Sequence, residues 1–454
     1  MPIQFKAILT VGVACLAALH STAQCQETGP QTDLLSLYQQ ASQFDKTYLA
    51  AEAQFQADQE VPKQALGSLL PNLGLTAQTQ KVESTQSALG FSTSSTSRPR
   101  GYTVQLTQPL FRLQAWETYK QSQLKAQIAK LTLQQARQDL MLRLSKAYFA
   151  VLAAQKDFDT LEAQKAATVE QLKSAKQNFE VGNATVTDQQ EAQAKYDLII
   201  AQEVGASNTL AVKRLELEAI TGTAPQRLAD LQTQAKLNNP DSTDPAKWAD
   251  LAKSSNLMAQ QAQLAQLIAK REVSKAKEGH LPTLDLTAQY SDGNQQIFDP
   301  STGRPFDVSS TNRTLGLTLA VPLYSGGATQ SKVRQQAALL NKAQYDYDSA
   351  VINASQAAKS ALLKVTGGLS QVQALQTAVQ SSELALKANK TGYEVGVRIN
   401  IDVLNAQQQL SSAERDLYKA KYDALVSMLE LQSAVGQLDE NALTKVNDLL
   451  GSKP

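Results

Sequence analysis

Residues 392–407 read GYEVGVRINIDVLNAQ, and 214 positions earlier residues 178–193 read NFEVGNATVTDQQEAQ. At that offset Glu180, Val181, Gly182, Asp188, Ala192 and Gln193 fall on Glu394, Val395, Gly396, Asp402, Ala406 and Gln407. Both stretches interrupt a monotone of Ala, Gln, Leu and Lys, the composition of long helices. A glycine closing such a run signals a helix C-terminus, and Thr187 with Gln190 three residues on reads as a capping box that opens the next helix. Each stretch predicts the tip of a long antiparallel helical hairpin, and the chain makes that tip twice.

The repeat extends well beyond the tips. LPNLGLTAQ (70–78) matches LPTLDLTAQ (281–289) at an offset of 211, Pro109-Leu110-Phe111 matches Pro322-Leu323-Tyr324 at 213, and Gly222 matches Gly436 at 214. The chain is one unit written twice. Each half carries two stretches of two-residue alternation. Leu73, Leu75 and Ala77 alternate with Gly74, Thr76 and Gln78, and Tyr102, Val104 and Leu106 with Thr103, Gln105 and Thr107. In the second half Leu284, Leu286, Ala288 and Tyr290 repeat the pattern, as do Leu315, Leu317, Leu319 and Val321. These predict four strands with one apolar face each, paired over about 72–109 and 283–322. The polar segments between them, STQSALGFSTSSTSRPRG and SDGNQQIFDPSTGRPFDVSSTNR, read as long hairpin loops in water.

Most of the remainder is helical. Leu140, Leu144, Ala147, Val151, Ala154, Phe158 and Leu161 follow at alternating spacings of four and three, a heptad seam. Ala343, Tyr347, Ala350, Ala354, Ala357 and Ala361 form a second seam of mostly small residues that allows close helix approach. From Pro109 to Gly182 and from Pro322 to Gly396 each helix would run about 70 residues, or about 105 Å. The organisation expected is a signal peptide over 1–23, a first repeat over 24–222 with its tip near 179–187, and a linker over 223–256. A second repeat over 257–436 follows, with its tip near 393–401, and then a C-terminal segment over 437–454. The linker, interrupted by Asn239-Pro240 and Asp244-Pro245, and the C-terminal segment are expected to form a lateral domain beside the helices.

The signal peptide is read from Lys6, the apolar run Ala7–Leu19 and the small residues Ser21-Thr22-Ala23, with cleavage after Ala23. No later apolar run is long enough for a transmembrane helix. Cleavage leaves Cys25 and His280, too few for a disulfide framework, a Cys/His zinc site or a Cys-His catalytic pair within one chain. Thr22-Ala23-Gln24 lacks the pattern usual before a lipidated cysteine, so an unmodified Cys25 is expected. No nucleophile, base and orienting group occur together, so the chain is read as no enzyme, with no metal and no cofactor. A net charge of +1 and a pI near 7.6 give no footprint for nucleic acid.

Four apolar-faced strands cannot close a membrane barrel, because an open sheet edge in lipid leaves backbone groups unpaired. Self-association resolves this. Two chains would give eight strands, a barrel filled by its own side chains, and three would give twelve, which leaves a lumen. With the duplicated strand, helix and EVG order, TGYEVGVRINIDVLNAQQQL and FEVGNATVTDQQEAQAKYD make the chain resemble the TolC family of outer-membrane efflux channels, from Leu34 to about Leu450.

That resemblance implies a mainly α fold with a β-barrel portion. Twelve strands of a homotrimer would form one barrel in the outer membrane of a Gram-negative bacterium, in contact with outer-membrane lipid. A tapering α-helical barrel of coiled-coil helices would continue from it through the periplasm. The implied function is a passive exit duct of a tripartite efflux or type I secretion system, joined through a periplasmic adaptor (membrane fusion) protein to an inner-membrane RND or ABC transporter. By the same resemblance Asp188, Tyr393 and Arg398 stand where polar links hold the tunnel end closed. Val181, Gly182, Val395 and Gly396 would meet the adaptor. Asp402 stands in a constriction ring whose second aspartate is replaced by Asn405, so the ring would carry three charges rather than six. The residues alone leave plainer readings open. Asp188 and Asp402 suit the first turn of any helix through the macrodipole, and Arg398 can pair with Asp402 four residues on. A periplasmic adaptor or a coiled-coil tether without a pore is the alternative function. The first would lack four alternating strands and the second would show uninterrupted heptads.

Overall fold

The computed structural model describes residues 32–451 apart from 89–90, 183–184, 225–226, 233–234, 300 and 303. The expected signal peptide and Cys25 lie outside the described residues. Helices α1 (Leu34–Phe44), α2 (Lys46–Gln59) and α3 (Val61–Gly67) lead to strands β1 (Asn72–Thr79), β2 (Val82–Ala88), β3 (Phe91–Ser97) and β4 (Arg100–Phe111). Helices α4 (Leu113–Glu180), α5 (Val186–Thr221), α6 (Pro245–Ser255) and α7 (Leu257–Lys277) follow. The second half continues with β5 (Thr283–Phe298), β6 (Pro305–Ala320), α8 (Ala328–Glu394), α9 (Asn400–Ala434) and α10 (Glu440–Asn447). Among the described residues no helix is long and apolar enough to cross a membrane.

The long helices form as their composition predicts. α4 has 68 residues and α8 has 67, so each is about 100 Å long at 1.5 Å per residue. Their return helices α5 and α9 have 36 and 35 residues and pack on only half of that length. In that half the lateral order is α5, α4, α9, α8. In the other half α2 and α3 lie on α4, and α7 lies between α4 and α8. The long helices form a single layer, with α8 at one edge, where α6 lies against it midway, and α5, or α2 and α3, at the other.

The sheet repeats this order. β1, β4, β5 and β6 pair antiparallel in sequence across four strands. The register aligns Leu73, Leu106, Ala288 and Leu315 in one row and Leu75, Val104, Tyr290 and Arg313 in the next. Because side chains alternate along a strand, the apolar rows share one face and Thr76, Thr103, Ser291 and Asn312 lie on the other. Gly101 faces Gly293 across the β4–β5 ladder, and a Cβ on Gly101 would lie 2.7 Å from the Asp292 carbonyl oxygen. The two segments expected as loops differ from that reading. The first carries the hairpin β2–β3, and in the second the ladder runs on to Phe298 and Pro305. Their Ser/Thr-rich composition hid the strands, because neither face there is apolar enough to show alternation.

The main core sits midway along the helices. Leu140, Leu144, Val151 and Leu161 of the first predicted seam are buried, and Ala154 and Phe158 are half-buried. Tyr148 meets Phe149 edge-on at 5.4 Å and Phe149 stacks on Tyr422 at 5.8 Å. The Tyr148 hydroxyl donates to the Ala229 carbonyl, and the Tyr422 hydroxyl donates to Asp230 at 2.7 Å. Residues 228–231 are held by bridges Thr32–Leu228 and Leu231–Leu450, and Leu228, Leu231, Leu438, Leu443 and Leu450 pack on this core. α6, inside the expected linker, packs Trp248 and Ala252 onto Ala354, Ala358, Leu362 and Val365 of α8. The second seam therefore runs through Ala354, Ala358, Ala361 and Val365, and Ala357 is exposed. The misreading followed from an alanine-rich helix, where several registers look equally apolar.

Candidate functional site: the paired hairpin tips

α4 and α8 end alike. Val181 and Val395 leave helical geometry at φ −91° and −93°, and Gly182 and Gly396 follow at φ +79° and +77°. That left-handed conformation carries a side chain only at a cost, so glycine ends both helices. The restart at α5 is a capping box, but its members are Thr185 and Asp188 rather than Thr187 and Gln190. The Asp188 carboxylate accepts from the Thr185 backbone N–H at 2.9 Å and from its hydroxyl at 2.8 Å, and the Thr185 hydroxyl accepts from the Asp188 N–H at 3.2 Å. Threonines two apart made either register plausible in sequence, and the chain uses the one with a carboxylate at the third position.

The second tip is built around a glycine. The Gly392 carbonyl accepts from Val397 N–H at 2.9 Å and Arg398 N–H at 3.1 Å, folding the turn back on α8. A Cβ at Gly392 would lie 2.7 Å from Arg398 Cγ, so the missing side chain lets the arginine stem cross the helix. Arg398 Nη1 then stands 3.5 Å from Asp402 Oδ2, a pair four residues apart in which the arginine is exposed and the aspartate half-buried. Asp188 and Arg398 are not paired with each other within the chain, each being engaged by its own tip. Asn405 is exposed one turn beyond Asp402.

The two tips touch through Asn178, whose amide donates to the Tyr393 hydroxyl at 3.0 Å, and through Lys195, which donates to Gln408 at 2.9 Å. Sequence reasoning missed Asn178, Lys195 and Gln408. Asn178 occupies the repeat position of Gly392, and that asymmetry between otherwise matched tips is the signal that would have found it. Asn400, which opens α9, is 4% exposed and neither amide atom has a hydrogen-bond partner among the described residues. Val181, Val395, Val397 and Ile399 are all exposed at the end of the hairpins. Further along the α8–α9 seam, burial raises the pKa of Glu414 above the usual carboxylate value, and the charge of Glu383 adds to it.

Geometrically the site is a turn surface with an apolar tip and a polar collar of Asp188, Tyr393, Arg398 and Asp402. Among the described residues no group of three metal-ligating side chains occurs.

A sequence profile of outer membrane efflux proteins matches residues 37–223 and 248–437. The chain is 33% identical over 428 residues to outer membrane protein TolC of Escherichia coli strain K12, covering 93% of this chain and 85% of that protein. It is 32% identical over 357 residues to the alkaline protease secretion protein AprF of Pseudomonas aeruginosa, covering 78% of this chain and 73% of that protein. Among solved structures the Campylobacter jejuni CmeC outer membrane channel superimposes with a TM-score of 0.75 over 97% of this chain and 98% of that one. At 16% identity that match is a likeness of fold.

Proposed function

The chain belongs to the outer membrane efflux protein family, and from that membership we propose that three copies close into one duct whose periplasmic mouth is the ring of hairpin tips. The protein is an outer-membrane exit duct of efflux or type I secretion. The observation that carries the trimer is the pair of free edges. Among the described residues β1 and β6 bound the sheet with no strand on their outer sides, and the helical layer ends at the same two sides. Different surfaces at the two edges make a head-to-tail interface, which closes as a ring. Leu73 and Leu317, 70% and 66% exposed on the apolar face, then meet lipid, while the threonine-rich face lines a lumen.

At the mouth, Arg398 exchanges Asp402 for Asp188 of the neighbouring copy. The intrachain pair is solvent-accessible and contributes only about 0–1 kcal/mol, so little opposes breaking it. Tyr393, tied to Asn178, braces the same ring. The apolar tip of Val181, Gly182, Val395 and Gly396 receives a periplasmic adaptor, and an inner-membrane RND or ABC transporter supplies the energy. Three Asp402 carboxylates around the constriction concentrate a negative potential, since field lines crowd between low-dielectric walls.

Planar-bilayer recording tests the assignment. A trivalent cation added from the periplasmic side should block the wild-type channel moderately. Asn405→Asp should strengthen block and Asp402→Ala should nearly abolish it, both effects shrinking as salt is raised. Block untouched by Asp402→Ala would reduce Asp402 to a helix-start residue.

A further inference from the structure

We propose that Gly367-Gly368 is a hinge in α8 at which the far half of the helix, with the tip it carries, bends to open the tunnel mouth, while the matching Ala153-Ala154 turn of α4 stays stiff. The inference rests on the reading of the tips as a closed mouth and adds where the chain bends.

The duplication supplies an internal control. At the repeat offset of 214, Gly367 and Gly368 fall on Ala153 and Ala154 of α4. Alanine is the best helix former and glycine among the worst, so the second half has exchanged a stiff pair for a soft one. Packing within the chain does not call for the exchange. A Cβ at Gly367 would meet nothing within 4 Å, and one at Gly368 would meet Ala424 at 3.7 Å, an ordinary contact.

The flanking residues weaken the same turn. Thr366 Oγ1 donates to the Leu362 carbonyl at 3.1 Å and Ser370 Oγ donates to the Thr366 carbonyl at 3.0 Å. Such bonds compete for the carbonyls of the helix ladder and bend helices, and kinks concentrate at Gly and Ser.

The position along the helix fits a pivot. Just before the pair, Ala354, Ala358, Leu362 and Val365 are clamped by α6, by Leu431 of α9 and by Val435 just past its end. Beyond it the core contacts of α8 are chiefly with α9, through Val372 against Leu417 and Ala424 and through Leu386 against Val403 and Leu410. Opposite the pair α9 presents Ala420 and Ala424, small enough for α8 to slide as it tilts. From Gly368 to Glu394 the lever is about 40 Å, so a bend of about 10° would carry the tip about 7 Å. A displacement of that size outranges the Arg398 contact.

The test uses single-channel conductance of the full-length trimer in planar bilayers. Arg398→Ser is made first, to release the mouth, and Gly367→Ala/Gly368→Ala is then added to it. Arg398→Ser should raise conductance, and the stiffened pair should remove at least half of that gain. Ala153→Gly/Ala154→Gly in the same background should not lower it. A gain that survives both alanines intact overturns the hinge. If the alanines instead abolish heat-resistant trimers on gels, the glycines serve contact between copies and the hinge is likewise overturned. Arg398→Ser with no gain in the otherwise unaltered chain sinks the closed-mouth reading, on which the hinge depends, and is read separately from the effect of the alanines.

Discussion

Gly396 and Gly436 end the successive helices α8 and α9 with φ of +77° and +73°, yet their surroundings differ. A Cβ at Gly436 would lie 2.2 Å from the Ser255 carbonyl oxygen, whereas Gly396 has nothing within 4 Å. Gly396→Ala should therefore cost only the left-handed backbone penalty, about 1–2 kcal/mol. Gly436→Ala adds a backbone clash of about 1–3 kcal/mol to it, and urea denaturation of the detergent-solubilised protein should order the two variants accordingly. Titration acts at the same scale. Glu414 has its folded-state pKa raised, first by burial and then by Glu383, so the folded state binds its proton more tightly than the unfolded state does. The ionised carboxylate thus costs stability above the raised pKa, and that cost is relieved as pH falls through it. Glu414→Gln should stabilise the protein at neutral pH, with the gain fading in acid. A thermal melting series across pH measures it, and an equal gain at all pH values would contradict the seam environment described here.

Between residues and the whole lie the helix starts, where one register choice decides which side chain matters. Thr185 and Asp188 share three hydrogen bonds at the start of α5, while among the described residues no capping bond involves Thr187. Thr185→Ala should loosen the first turn of α5 by about 1 kcal/mol, and Thr187→Ala should stay within about 0.5 kcal/mol of wild type. Hydrogen exchange of the amides at 186–190 distinguishes them. The capping box also bears on the proposed link between copies. Asp188 is already an acceptor within its own tip, so a neighbour's Arg398 would have to share it. Sequence alone could not see this, because the first-tip carboxylate reads the same whether it caps a helix or links two chains.

At the scale of the molecule, the exposed leucines of the sheet are the strongest demand on the environment. Leu317 lies within the apolar face, and Thr318 beside it faces the opposite way. Leu317→Arg should destabilise the barrel by about 2–4 kcal/mol per copy near the bilayer midplane and deplete heat-resistant trimers from the outer-membrane fraction. Thr318→Arg, turned to the lumen, should leave trimers intact and alter conductance. Equal loss of trimers in both would mean that the two faces of the sheet are not separated into lipid and water.

The sequence by itself determined the duplication, the glycine-ended tips and the alternation along β1, β4, β5 and β6, because each is written as a local periodicity or a glycine in a fixed place. It also carried the outer-membrane channel family, through the EVG stretches in their duplicated setting. Tertiary structure decided what local pattern leaves degenerate. Which of several alanines face α6, which of two threonines caps α5, and that Ser/Thr-rich segments run on as strands all depend on neighbours far away in the chain. The meeting of Asn178 with Tyr393, 215 residues apart, belongs to the same class. Its cause is the packing of one repeat against the other, and no spacing within either repeat encodes it.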